Sequence, residues 1–154
     1  MKKRRNAKLV SRIMASVKSA GTRPEIILRK GVWAKGLRYR LHDSRLPGKP
    51  DMVFTSARLA VFVDGDFWHG NQWRLRGFNS LEEQLKGLRN KPYWERKIKR
   101  NMERDRQVNH ALRRGGWRVV RIWESQITKQ PDRAINRIFN AVSRWKPQLI
   151  VQPK

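Results

Sequence analysis

The sequence contains no cysteine and only three histidines, His42, His69 and His110, among its 154 residues. The absence of thiols excludes disulfide bonds and every zinc site that depends on thiolate ligands, and three scattered histidines cannot form a histidine-rich zinc site. Any metal ion in this protein must therefore be held mainly by oxygen ligands, which favours Mg²⁺ or Mn²⁺.

Acidic residues are scarce as well. The chain has 12 Asp and Glu against 37 Lys and Arg, which gives a formal net charge of +25. A charge of this size and sign predicts a polyanionic partner. Charge alone does not distinguish DNA from RNA, a ribosome or an anionic membrane surface, and it says nothing about the fold.

Long apolar runs are also absent from the sequence. None approaches the roughly 18 consecutive residues of a membrane span. The basic start, Met1–Arg5, is not followed by the apolar core of a signal peptide. We therefore expect a cytoplasmic protein that associates with the nucleoid and has no membrane partner.

The length of the chain suits one domain. Residues 1–20 are basic and carry apolar residues at helical spacing. They are predicted to form an N-terminal helix or arm, with a solvated leader as the alternative. We expect a single domain over residues 21–147 and a C-terminal tail over residues 148–154.

The most informative stretch is Leu59–Gly70. Alternate residues from Leu59 to Val63 point to opposite faces of a strand, and both faces are apolar. Such a strand is buried on both sides. Two acids, two aromatic residues and a histidine follow directly, flanked by glycines. Residues of these types are typical of catalytic and binding sites.

Periodicity and turn signals predict the order helix, strand, hairpin, helix, strand, helix. The predicted elements are a helix that begins behind Thr22 and ends at Gly36, a strand over 37–41, hairpin strands over 51–55 and 58–64, a short helix over 81–88, a long helix over 92–114, a strand over 117–123 and a helix over 131–145. Helices on both faces of a mixed sheet form a three-layer α/β fold.

The hairpin has a chemical consequence. Asp51 begins its first strand and Asp64 ends its second, so antiparallel pairing places both acids near the same end of the sheet, where a metal ion can bridge them. His69 can take a proton from an attacking water if another group orients its second ring nitrogen. Structural explanations stay open, because Pro-Asp dipeptides are common in turns and a histidine behind a buried strand is often a packing residue.

Four linked motifs carry a family resemblance. They are Leu46–Asp51 (LPGKPD), Val61–Gly70 (VFVDGDFWHG), Asn101–Arg106 (NMERDR) and Gly116–Glu124 (GWRVVRIWE). In this order, over about residues 10–125, the chain resembles the very short patch repair (Vsr-type) mismatch endonucleases.

The resemblance implies a restriction-endonuclease-like fold and a DNA repair enzyme that uses Mg²⁺, with Mn²⁺ as a substitute. Members nick double-stranded DNA on the 5′ side of the thymine in a T:G mismatch. The implied partners are double-stranded DNA and either mismatch-repair proteins or a methyltransferase system. A monomer is expected.

The resemblance also assigns roles to single residues. Asp51 resembles the essential metal-binding carboxylate, and the backbone carbonyl of Val63 resembles a further metal ligand. His69 resembles the general base, and Asp105 matches the acid that orients the catalytic site. Glu25 matches another acid of that site, although its place behind a helix N-cap explains Glu25 equally well.

A second group matches DNA contacts of the family. Phe67, Trp68 and Trp94 resemble an aromatic wedge that opens the duplex, for which core packing of Phe67 and Trp94 is the alternative. At least one of the adjacent Phe67 and Trp68 is expected to be exposed. The other implied contacts are Met14 in the minor groove and Lys97 and Asn101 near the mismatch.

The sequence departs from the family at its structural zinc. The positions of the zinc ligands are occupied by Asp66, Asn71, Trp73 and Ser125. No zinc is expected, and hydrogen bonds together with packing of Trp73 are expected to tie the catalytic loop to the following strand instead.

Asp64 and Asp66 also add negative charge beside the expected Mg²⁺ site, and either is a candidate for a further metal ligand. The segment between His69 and Trp94 is longer than is usual in the family, so the substrate can differ as well. One alternative is a strand-nicking nuclease with a phage defence or restriction-associated role and a different DNA target. The other is a non-catalytic nucleic-acid-binding protein.

Overall fold

The computed structural model describes residues 20–145. Residues 1–19 of the predicted N-terminal arm, Met14 among them, and the predicted tail over residues 148–154 lie outside the described residues. Within the described part, no helix is both long and apolar enough to cross a membrane.

The described chain contains six helices and four strands. They are α1 (Arg23–Ala34), β1 (Arg40–Leu41), β2 (Met52–Phe54), β3 (Leu59–Asp64), α2 (Gln72–Leu75), α3 (Leu81–Leu85), α4 (Lys91–Arg114), β4 (Arg118–Trp123), α5 (Glu124–Lys129) and α6 (Pro131–Ser143). The predicted order of the larger elements is confirmed.

The strands form one mixed sheet in the order β1-β2-β3-β4. β2 and β3 form the predicted antiparallel hairpin, with Met52 opposite Val61. β4 runs parallel to β3, so Asp64 and Trp123 pair at the same end of the sheet. This end, where β3 and β4 both finish, carries the candidate site.

Helices cover both faces of the sheet, as predicted. Met52, Leu59, Val61 and Ile122 belong to the core on the face of α1, α5 and α6. Ala60 and Phe62 face α4, where they pack with Leu112. β3 is therefore buried on both sides, and the alternation of its residues sends Asp64 to the α4 side. The three-layer α/β fold is confirmed.

The start of α1 also agrees with its sequence signals. The Thr22 side chain accepts a hydrogen bond from Glu25 N at 3.5 Å, and proline occupies the first turn. Because an N-terminal turn has unpaired N–H groups, this cap and the missing proline donor fix where the helix begins.

β1 is shorter than predicted. Only Arg40 and Leu41 pair with β2, whereas the sequence alternates from Leu37. In this register Phe54 of β2 lies opposite Tyr39 but is not paired with it. Leu37 and Tyr39 still pack against the core without strand pairing, and the Tyr39 hydroxyl donates to Arg29 O at 3.0 Å.

The sequence analysis missed α2 and α5. α2 buries no residue, and α5 buries only Ile127, so neither contains an apolar stripe that periodicity can reveal. α3 was predicted over residues 81–88 but ends at Leu85, which lies before Gly87.

Candidate active site

A pocket of about 400 Å³ opens at the end of the sheet where β3 finishes. Its lining includes Asp51, Asp64, His69, Asp105 and Arg121. These residues come from the loop before β2, the end of β3, the loop behind it, α4 and β4. The fold therefore brings together residues that are far apart in the sequence.

Asp51 stands at the start of β2 with its two oxygens in different roles. Oδ2 accepts a hydrogen bond from Val63 N at 2.7 Å. Oδ1 lies 3.7 Å from His42 Nδ1, and the other ring nitrogen of His42 lies 3.0 Å from Glu25 Oε1. Glu25, His42 and Asp51 each offer a ligand atom within 4.8 Å of the others.

Glu25 combines the two roles that the sequence left open. Oε2 accepts from Gly21 N at 2.8 Å, which supports the start of α1. Oε1 makes no well-aligned hydrogen bond with any described residue, although His42 Nε2 lies at 3.0 Å and Arg29 Nη1 at 4.0 Å and Glu25 is only 2% exposed. A buried carboxylate oxygen in such surroundings favours a cation beside it.

The pKa of Asp51 reflects its burial and its closeness to Glu25 and His42. Burial raises its pKa to about 6, the hydrogen bond from Val63 N–H opposes the rise, and the nearby Glu25 carboxylate adds to it. A cluster of desolvated carboxylates favours a positive charge among them. Two acids and an imidazole, with Val63 beside them in the pocket, are a donor set that suits a hard divalent cation.

A second group of titratable side chains surrounds His69. Its Nδ1 lies 2.5 Å from Asp105 Oδ2 and 3.9 Å from Asp64 Oδ1. Burial lowers the pKa of His69, but the Asp105 hydrogen bond and the charges of Asp64 and Asp105 outweigh it, so the net pKa is raised. Asp105 thus orients one ring nitrogen and leaves Nε2 as the possible proton acceptor.

Arg121 on β4 joins the two acids of this group. Its Nη1 lies 2.9 Å from Asp64 Oδ1 and 3.3 Å from Asp105 Oδ1. Nε donates to Asn109 Oδ1 at 2.8 Å, and the guanidinium lies 4.1 Å from the centre of the Phe62 ring. The arginine is therefore held on three sides.

Asp64 consequently lies with His69, Asp105 and Arg121, and outside the group of Glu25, His42 and Asp51. Burial raises its pKa, and the charge of Arg121 is the main opposing influence. Asp64 therefore pairs with Arg121, as a buried carboxylate needs a partner. Asp64, His69 and Asp105 also each offer a ligand atom within 4.8 Å of the others, so a metal-ligand role of Asp64 stays a prediction.

The loop between Asp64 and Gly70 is tied to the end of β4. Asp66 accepts from Asn71 Nδ2 at 2.7 Å, from Ser125 Oγ at 2.8 Å and from Ser125 N at 3.0 Å. Trp73 packs with Leu81, Leu85 and Ile98. Side chains at all four of the positions discussed for zinc are thus engaged, three by hydrogen bonds and one by packing.

Close packing against α4 holds this loop from the other side. Gly70 has φ +77°, and a Cβ there would lie 2.6 Å from Met102 Sδ. Asn101 Nδ2 donates to Trp68 O at 3.0 Å. The loop that carries His69 is therefore fixed at both ends and in the middle.

The aromatic residues form one cluster beside the pocket. Ring centroids of Phe67 and Trp68 are 5.3 Å apart, and those of Trp68 and Trp94 are 5.7 Å apart. Phe67 and Trp94 also pack against Leu81, Leu85 and Ile98, so core packing accounts for part of their position. The expectation that Phe67 or Trp68 is exposed was wrong, because both rings cover each other and are half-buried.

Lys97 is exposed and its Nζ lies 5.1 Å from the Trp68 ring centre. It extends the aromatic cluster with a positive charge. Asn101 holds the loop through Trp68 O, so its amide is already engaged.

Two residues of the pocket escaped the sequence analysis. His42 is the next pair in the β1–β2 register, opposite Asp51, and the predicted hairpin alone does not show that β1 joins it. Arg121 interrupts an apolar strand and pairs in register with Phe62. The signal that could have identified Arg121 is a charged residue in the interior of an otherwise apolar predicted strand.

Comparisons with known proteins agree with this geometry. The sequence model of the family described as DNA mismatch endonuclease Vsr matches residues 3–75. The chain is 41% identical over 128 residues to the Type II nicking enzyme V.HpaIIP of Haemophilus parainfluenzae, covering 83% of this chain and 86% of that protein.

Two further relatives extend the comparison. The Type II nicking enzyme V.NmeDIP of Neisseria meningitidis serogroup C is 42% identical over 129 residues, with 84% of this chain and 82% of that protein covered. The DNA mismatch endonuclease Vsr of Escherichia coli (strain K12) is 28% identical over 135 residues, with 88% and 81% covered.

Proposed function

Because the chain belongs to the Vsr family of DNA mismatch endonucleases and is a DNA endonuclease, we propose that it nicks one strand of double-stranded DNA in a Mg²⁺-dependent reaction at a T:G mismatch or a similarly distorted site. The observation that carries the proposal is the convergence of Asp51, His69 and Asp105 on one pocket. The reaction would serve DNA repair.

Glu25, Asp51 and the carbonyl of Val63 would hold the Mg²⁺, or Mn²⁺ in its place. The burial of Glu25 Oε1 without a well-aligned hydrogen bond and the raised pKa of Asp51 support a cation here. When bound, the ion supplies Lewis acidity to the attacking water and to the phosphate. His42 lies between the two carboxylates and keeps them in place.

His69 is the proposed general base. Asp105 faces its Nδ1, so Nε2 carries the free electron pair and accepts a proton from the attacking water. The raised pKa of His69 makes its imidazole a stronger proton acceptor than an ordinary exposed histidine.

Asp64 and Arg121 are proposed to position the base. Arg121 bridges Asp64 and Asp105, and this fixes the carboxylate that orients His69. The positive charge of Arg121 also lowers the pKa of His69, against the two acids. The predicted role of Asp64 as a metal ligand remains the alternative to this positioning role.

Phe67, Trp68 and Trp94 are proposed to act on the duplex beside the reacting phosphate. Opening a base step costs a few kcal/mol, and stacking of bases on aromatic faces offsets the cost. The half-buried cluster is rigid because its rings pack edge to face and two of them join the core. Lys97 adds a phosphate-binding charge at its rim.

A second candidate function keeps this chemistry and changes the target. Two relatives named Type II nicking enzymes are more similar to the chain than the one named mismatch endonuclease. This order favours a strand-nicking nuclease with a restriction-associated role, in which a methyltransferase system would be a natural partner.

A panel of end-labelled duplexes separates the two candidates. Each duplex carries T:G, another mismatch or a matched pair at the same position, and nicking is followed with Mg²⁺. Mismatch repair requires a single nick 5′ of the thymine in T:G, faster than in the matched duplex by a factor on the order of 100. Equal nicking of all duplexes would contradict the repair proposal and support the second candidate.

A further inference from the structure

A second concave surface lies beside β4, separate from the active pocket. It is a groove of about 740 Å³ between β4, α5 and α6, floored by Ile122 and Ala134. Its walls carry Gln126, Gln130, Arg133, Asn136, Arg137 and Asn140. None of the eight described residues that line it is acidic.

The walls of this groove present hydrogen-bond donors and positive charge. Arg133, Asn136, Arg137 and Asn140 are spaced by three or four residues, so they share one face of α6. The opposite face of α6 is buried through Ile135 and Ile138. The outward face is therefore fixed in direction and remains exposed to solvent.

Helix stability does not explain Arg133. The residue lies in the first turn of α6, where the partial positive charge of the helix dipole disfavours a cation. Its only described side-chain bond is from Nη1 to Gln130 Oε1 at 3.2 Å, on the surface. A charge in an unfavourable position with a neutral partner is free to bind an anion.

The groove and the active pocket are separated by one strand. The Arg121 side chain lines the active pocket, and the Arg121 carbonyl accepts from Arg137 Nη1, a groove residue, at 3.0 Å. The next residue, Ile122, lines the groove. The two sites therefore lie on opposite faces of β4, which is the last strand in the sheet order, so a duplex that passes the edge of β4 can contact both. Successive phosphates of one DNA strand advance by about 3.4 Å along the duplex axis, so phosphates several nucleotides from the reacting one would face the groove.

We propose that the α5–α6 groove binds the phosphodiester backbone of the substrate DNA on one side of the nick. Arg133 and Arg137 supply charge, and the four carboxamides donate hydrogen bonds to phosphate oxygens. Such contacts position the duplex and carry no sequence information. The proposal rests on the nicking of double-stranded DNA and requires neither the T:G preference nor the identity of the metal.

The experiment compares two charge variants of the full chain. Arg133→Gln removes a groove charge without harming the helix, because it relieves the conflict with the dipole. Arg113→Gln is the matched control: it removes one exposed arginine at the end of α4, next to the start of β4 and therefore at the opposite end of the sheet. Binding is measured by fluorescence anisotropy with a duplex in Ca²⁺, and nicking is measured separately in Mg²⁺.

Arg133→Gln is expected to weaken binding severalfold at low salt and to reduce the slope of log Kd against log salt by about 0.9, the value of one lost phosphate contact. Asn136→Asp, which puts a negative charge into the groove at nearly constant volume, should weaken binding further. KM should rise with little change in kcat. Arg113→Gln should change the affinity less than either groove variant.

Trimmed duplexes locate the contact. Shortening the DNA on one side of the nick should weaken binding of the original chain, and the Arg133→Gln variant should lose less from the same trimming. Equal effects of Arg133→Gln and Arg113→Gln, or equal losses on trimming in both chains, would overturn the proposal and leave the groove to a protein partner. Binding without nicking would refute the proposed function but not this groove.

Discussion

Arg121 Nη1 lies 2.9 Å from Asp64 Oδ1, and this contact joins two parallel strands at the centre of the candidate site. The same nitrogen lies 3.3 Å from Asp105, which orients His69. An acid that looks like a metal ligand in the sequence is thus half of a buried ion pair. Its partner holds the acid that orients the proposed base.

Replacing only one residue of this ion pair should destabilise the folded protein more than replacing both. Arg121→Met leaves the buried Asp64 without its guanidinium, with only His69 Nδ1 at 3.9 Å, and the loss of a partner from a buried pair costs about 3–5 kcal/mol. The double variant Asp64→Asn, Arg121→Met should recover much of that stability, as measured by urea unfolding. If the double variant is as unstable as the sum of the two single variants, the pair is not coupled.

The same variants have a kinetic signature. Arg121→Lys keeps the charge but cannot contact Asp64, Asp105 and Asn109 at once as the planar guanidinium does, so nicking should fall on the order of tenfold in kcat with KM nearly constant. Arg121→Met should also shift the acid limb of the pH profile to higher pH, because Arg121 lowers the pKa of His69. A loss of kcat with no shift of the limb would indicate a merely structural role.

Ionisation of Asp51 should lower the free energy of unfolding as the pH rises. Its pKa is raised from 3.8 to about 6, so the folded state binds this proton more tightly than the unfolded chain. The corresponding stability is present below about pH 4 and is lost as the pH rises through about 6, by up to about 3 kcal/mol. Asp51→Asn cannot ionise and keeps an oxygen acceptor for Val63 N–H.

Chemical unfolding with EDTA tests this behaviour. The difference in unfolding free energy between Asp51→Asn and the original chain should grow in favour of the variant from pH 4 to pH 7. Mg²⁺ should stabilise the original chain more than the variant at pH 7, because a ligand of the folded state adds stability. A difference that does not change with pH would contradict the raised pKa.

The Asp66 contacts should replace a structural metal. Asp66→Ala leaves Ser125 N and Asn71 Nδ2 without their acceptor, which costs about 1–3 kcal/mol and loosens the loop that carries His69. Nicking should fall more than DNA binding. Ser125→Ala, which removes one of the three contacts, should have a smaller effect on both.

Elemental analysis provides the matching control. The purified chain is expected to contain no stoichiometric zinc, and chelators of zinc should leave the unfolding midpoint unchanged. Stoichiometric zinc that is lost in Asp66→Ala would contradict the hydrogen-bonded replacement.

The sequence was sufficient for the parts of the fold that rest on local patterns. The apolar alternation of Leu59–Asp64 and the cap at Thr22 each have a short-range cause, and both elements are present. The hairpin register then follows from the turn between β2 and β3, and it brings Asp51 beside the end of β3.

Contacts between residues that are far apart in the sequence could not be predicted from it. Arg121 meets Asp64 only because β4 runs parallel to β3 at a fixed register, and no local pattern sets that register. His42 reaches Glu25 and Asp51 because β1 adds to the hairpin, with His42 at a positive φ of 47°. Sequence reasoning found the chemical groups of the site but not the contacts that divide them into two sets.

The most direct test of the account is the nicking of a supercoiled plasmid that carries one T:G pair, with Mg²⁺, by the original chain and by Asp51→Ala and His69→Ala. The account predicts conversion to the open circle by the original chain and a loss of at least about a thousandfold in both variants, which keep their fold by circular dichroism. Nicking by His69→Ala at the rate of the original chain would contradict it.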